Sequence, residues 1–203
     1  MRDINKALSD IVEIRSRIAA GTAFRGYGPL AVAVTGIIGL LTALAQSLFL
    51  PALTDSQFVW CWIGAGLLSA LVIRIEMQDR SQRLHSGLAD AMIHQAIAQF
   101  LPAAAAALFL PLFLLRYVPD SLWLMPGLWQ IFVSLGIFAS LRSLPATVSW
   151  GGFFYFLSGS ACLFLANETR TLSPWMMGAP FFLGQCLIAV LLWRAAGDDD
   201  DED

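Results

Sequence analysis

Asp90 and His94 stand four residues apart in the charged stretch between two long apolar blocks, at the entry to the second. On a helix that spacing puts carboxylate and imidazole on one face, a turn apart. A hydrogen bond between them fixes the imidazole tautomer and raises its basicity, which suits a proton relay or the mouth of a polar path. A satisfied interfacial pair that does no chemistry is the competing reading. His85 lies across the bend expected at Ser86-Gly87, and with Asp90 and His94 it makes a weak candidate set for a divalent metal. No HExxH-type spacing supports such a site, so no metal or other cofactor is expected. Cys61, Cys162 and Cys186 all fall inside apolar blocks. An odd count without CxxC spacing argues against a disulfide framework or structural zinc, and they read as small buried residues.

A second constellation is uncharged. Gln46, Gln99, Gln130 and Gln185 each occupy a different apolar block, at increasing depth in the order Gln46 first and Gln99 last when counted from one face. Facing a common interior they would form a ladder of donors and acceptors. Facing neighbouring helices they act as interhelical glue, worth roughly 0.6–2 kcal/mol each. In the charged stretch, Glu76 with Arg80 and Asp79 with Arg83 are acid-before-base pairs at the favourable helical spacing, as expected of a solvated helix continuing out of a span.

The elements that position these residues follow from composition. Of 203 residues, 58% are hydrophobic and only 13% charged, with a mean hydropathy of +0.69. A soluble domain carries about 25% charged residues. The apolar residues come in blocks of about 20, the length a helix needs to cross a bilayer, and do not alternate as barrel strands would. The expected fold is all-α, a polytopic bundle of six transmembrane helices at about 30–50, 57–75, 91–115, 122–141, 147–166 and 173–194. The apparent cleavage pattern Ala43-Leu44-Ala45 follows too long a charged region for a signal peptide, so the first block is expected to remain a span.

Ile4, Leu8, Ile11, Ile14 and Ile18 against Arg2, Lys6, Arg15 and Arg17 give residues 1–29 an amphipathic interfacial helix that ends in a Gly-rich hinge. With six spans both termini share one side. That side carries Arg2, Lys6, Arg15, Arg17, Arg25, Arg74, Arg80, Arg83, Arg142 and Arg194, and the other only Arg116 and Arg170. The asymmetry predicts cytoplasmic N- and C-termini. Arg outnumbers Lys eleven to one, a bias associated with GC-rich bacterial genomes, which makes the expected location a bacterial inner membrane. Trp60, Trp62, Trp123, Trp129 and Trp175 fall toward the outer face and Trp150 and Trp193 toward the inner, as two interfacial belts. Ala103–Ala107 between Pro102 and Pro111 suggest close packing that places the third span at the centre of the bundle. The acidic tail over 195–203, DDDDED at its end, is expected to be disordered.

Phe24–Pro29 (FRGYGP), Ser173–Gly178 (SPWMMG) and Gly184-Gln185 resemble uncharacterised bacterial six-span inner-membrane proteins; the resemblance implies the topology and no activity. No Walker, Rossmann or nucleophile-elbow pattern names a reaction, and no basic patch suits nucleic acid. The best expectation is a small permease or channel-like protein with a polar interior path, in contact with the lipid bilayer. One alternative is an auxiliary or scaffold subunit that recruits a protein partner through its N-terminal helix and acidic tail. The other is a His-dependent metal or haem protein. A homo-oligomer is a further expectation.

Overall fold

The computed structural model describes residues 28–49, 53–84, 89–142 and 144–200. The expected amphipathic helix, His85, and Asp201, Glu202 and Asp203 lie outside the described residues. Among those described, the helices are α1 (Pro29–Leu48), α2 (Asp55–Leu84), α3 (Ala89–Tyr117), α4 (Met125–Ser140), α5 (Ser149–Thr169) and α6 (Pro174–Asp200), with 3-10 turns at Pro119–Leu124 and Ala146–Val148. All six are long and apolar enough to cross a membrane, α4 together with its preceding 3-10 turn. The chain is an all-α, multi-pass integral membrane protein.

Helix starts follow from proline. Pro29, Pro119 and Pro126 open their elements at the first or second position, and Pro174 is the first residue of α6. There the missing N–H has no partner to lose, and the fixed φ is already helical. α5 ends on Arg170 in the left-handed region at φ 49°, whose N–H closes on the Ala166 carbonyl at 2.7 Å. α2 is 30 residues long. At 1.5 Å per residue that is about 45 Å, more than a hydrocarbon core of about 30 Å, so its last turns project from the Arg-rich end.

Each helix packs on its neighbours in sequence, α1 closes on α6, and α4 also touches α6 across the ring. The α1–α6 seam is the most extensive. Its cause is a stripe of small residues on α1: Gly36 meets Gln185, Gly39 meets the Phe181 ring, and Ala43 meets Gly178. Lipid supplies no hydrophobic force between helices, so such close backbone approach is what holds them together.

Two expectations need correction. The third span is not central: α3 has 11% of its apolar window buried, the lowest share of the six, and the fourth span has 50%, the highest. Leu101, Leu108, Phe109 and Phe113 of α3 face outward, where acyl chains solvate them as well as a protein core does. The fourth span is the one that brings small residues to its neighbours, with Gly127 against Gly159 and Leu163 of α5 and Gly136 against the Phe100 ring of α3. The second correction concerns the tail expected to be disordered over 195–203. α6 runs on through Asp200. Ala195 and Ala196, with the highest helix propensity of any residue, carry it out of the span and into the acidic run.

Candidate functional site

At the Arg-rich end, α2 and α3 diverge around a groove of about 240 Å³ lined by Arg74, Gln78, Ile93, His94 and Ile97. The i, i+4 spacing puts Arg74 and Gln78 on one face of α2, and Arg74 Nη1 donates to Gln78 Oε1 at 3.2 Å. Ile93 is buried while Arg74, Gln78 and His94 are exposed, which makes an apolar floor with a polar rim. Asp90 and His94 both belong to the continuous helix α3 and so lie one turn apart; the Asp90 side chain, like His85, is outside what is described. Among the described residues no three His, Cys, Asp or Glu side chains come together as a metal site. Glu76 lies against Gly28, the N-cap residue of α1, where a carboxylate complements the helix dipole.

The glutamines divide among several seams. Gln46 is buried on α1, and its Oε1 accepts the Trp62 indole N–H of α2 at 2.9 Å. Gln130 of α4 is 1% exposed. Its Nε2 donates to the Pro126 carbonyl and to the Met176 carbonyl of α6, both at 2.9 Å, and approaches Cys162 Sγ of α5 at 3.4 Å. The Cys162 thiol also donates to the Met176 carbonyl, at 3.4 Å. Met176 is available because Pro180, four residues on, has no N–H to give it. Gln185 is half-buried on α6, packed on Gly36 of α1 and within hydrogen-bonding reach of the Tyr155 hydroxyl, which itself donates to the Phe181 carbonyl at 3.0 Å. Gln99 is half-buried on α3. None of the four lines the groove between α2 and α3.

Two buried polar atoms have no partner among the described residues, Gln46 Nε2 and Gln130 Oε1. Turning the Gln130 amide over would aim Oε1 at two carbonyl oxygens, so the surroundings fix its orientation.

The tryptophan assignment needs revision. Trp60, Trp150, Trp175 and Trp193 are exposed, as belt residues should be, but Trp62 and Trp129 are only 5% and 8% exposed. Trp129 Nε1 donates at 2.8 Å to the Ala107 carbonyl of α3, the one that Pro111 leaves without its helical donor. Pro111 and Pro180 mark the freed acceptors in the sequence. Nothing local marks Trp129, Cys162 or Gln130 as the donors that reach them from other helices. Compared with known protein families, with curated proteins and with solved structures, the chain matches none.

Proposed function

We propose that this membrane protein is a small permease or channel-like protein that passes a neutral, hydrogen-bonding solute along the junction of α4, α5 and α6. The observation that carries this reading is the buried carboxamide oxygen left unpaired at that junction, Gln130 Oε1. An unmade hydrogen bond at a buried group costs about 1–3 kcal/mol, and a small solute with a donor would offset it. Neutrality follows from charge. No Asp, Glu, Lys or Arg occurs in 30–54, 56–73, 95–115, 121–141, 144–167 or 171–193, whereas ion and proton pathways depend on such groups within the membrane. The arginine asymmetry supports an inner-membrane protein with both termini in the cytoplasm.

Stopped-flow light scattering on vesicles holding the purified protein tests the reading with water, glycerol and urea as probes. At least one should cross faster than in protein-free vesicles, and Gln130→Leu should reduce that flux severalfold. Ser160→Ala, at an exposed hydroxyl bonded only to its own helix, should leave it unchanged. If Gln130→Leu fails to fold, the near-isosteric Gln130→Met serves as the second variant. Wild-type vesicles no more permeable than empty ones to all three probes refute the proposal.

A further inference from the structure

We propose that the groove between α2 and α3 is a binding site for the phosphate-bearing headgroup of an anionic membrane phospholipid. The polar rim supplies the recognition chemistry. Arg74 spends one N–H on Gln78 Oε1, and a guanidinium has five, so the others remain for phosphate oxygens. That same bond holds the guanidinium in place over the groove and turns the Gln78 amide N–H₂ away from Arg74, as a further donor. His94 adds a ring N–H from the facing helix. Glu76, which would repel an anion, lies against Gly28 and does not line the groove.

The apolar surroundings select a lipid over free phosphate. Ile93 and Ile97 line the groove. On the membrane side of the rim, Leu71 of α2 and Ile97 and Leu101 of α3 are exposed large apolar residues, which offer a track for acyl chains. The site stands where the two spans leave the bilayer, since the apolar stretch of α3 begins at Ile93 and Arg74 closes the uncharged part of α2. Headgroup phosphates lie at that depth, and basic pockets between spans are suited to them. A volume of about 240 Å³ takes a phosphodiester with its glycerol, with the chains left outside.

The test uses the full-length protein in detergent. Binding of phosphatidylglycerol, phosphatidylcholine and inorganic phosphate is measured by native mass spectrometry and by the shift in melting temperature. Phosphatidylglycerol should bind and stabilise, and the other two should not. Arg74→Gln with His94→Gln should weaken phosphatidylglycerol binding about tenfold or more, the scale of losing a charge-assisted hydrogen bond. The melting temperature without lipid should hardly change, because both side chains are exposed. Arg74→Lys should recover only part of the affinity, since an ammonium cannot present the planar fork. Equal binding of phosphatidylcholine, or unchanged phosphatidylglycerol binding by the double variant, overturns the site. Binding of inorganic phosphate as tightly as the lipid overturns the assignment to a lipid. A melting temperature that collapses without lipid in both Arg74→Gln and Arg74→Lys assigns Arg74 to the fold and overturns the site as well.

Discussion

The crossing of α4 and α5 at Gly127 and Gly159 allows the packing argument to be tested with one methyl group. A Cβ built on Gly159 of α5 would stand 2.7 Å from the Gly127 carbonyl oxygen of α4 and 3.0 Å from Gln130 Cβ, and one built on Gly127 would stand 2.7 Å from the Gly159 carbonyl oxygen. Ordinary contact begins near 3.4 Å, so either methyl needs the helices to part by several tenths of an ångström. The obstructing atom is helix backbone, which cannot swing aside. Overpacking of this kind costs about 1–3 kcal/mol, while replacing a mid-helix glycine by alanine returns about 0.5–1 kcal/mol. Gly159→Ala and Gly127→Ala should each therefore destabilise by roughly 0.5–2 kcal/mol, a fall of about 1–8 °C in melting temperature for a chain of this size. Gly64→Ala and Gly66→Ala meet nothing within 4 Å and keep only the favourable backbone part, so they should melt at or slightly above wild type. Because the first methyl has already opened the crossing, the double variant should cost less than the two singles together. Thermal unfolding of all five variants in one detergent decides the matter. If Gly127→Ala and Gly159→Ala melt as high as Gly64→Ala, this crossing does not hold α4 and α5 together.

Two hydrogen-bond predictions follow from the same measurement. Trp129→Phe strands the Ala107 carbonyl and should cost about 1–3 kcal/mol; Pro111→Ala restores an N–H four residues on, so the same change should cost less in that background, and strict additivity would refute the assigned bond. Trp62→Phe leaves the buried Gln46 carboxamide without its one partner and should destabilise by about 1–3 kcal/mol, whereas adding Gln46→Leu removes both partners and should recover much of the loss. A single Trp62→Phe variant as stable as wild type would show that the bond contributes nothing.

The membrane elements were legible because lipid thickness imposes a length that the apolar blocks repeat, and Pro29, Pro119 and Pro174 punctuate their starts. Span ends were less legible. α2 runs about three turns and α3 about one turn past the apolar stretch, because Arg74, Glu76, Gln78, Asp79, Arg80 and Asp90 are helix-compatible, so the hydropathy falls where the helix does not. The placement of α3 failed for a different reason. Alanines and prolines permit close approach but do not compel it, whereas the glycines and serines of α4 meet neighbours that fill the space. The groove was half legible. His94 stood out as a titratable group at a span entry, but Arg74 and Gln78 read as part of a solvated helix, since sequence alone does not say which turn of α2 faces α3.

If a solute passes the junction of α4, α5 and α6 as proposed, the prolines give the interior its capacity for exchange. Pro180 leaves the Met176 carbonyl with two lone pairs and no helical donor, and two groups from different helices, the Gln130 amide and the Cys162 thiol, share it. A solute that draws the Gln130 amide toward itself leaves that carbonyl still paired with the thiol, and meets the free Oε1 of the same amide as an acceptor. In an unbroken helix the Met176 carbonyl would also carry the N–H of residue 180, leaving one lone pair for the amide and the thiol to share. A polar step within a bundle that has no charge at its middle can therefore be built from one glutamine, one cysteine and the carbonyl freed by one proline. Solute flux that survives Gln130→Leu but is lost in Pro180→Ala would place the essential element in the carbonyl and not in the amide.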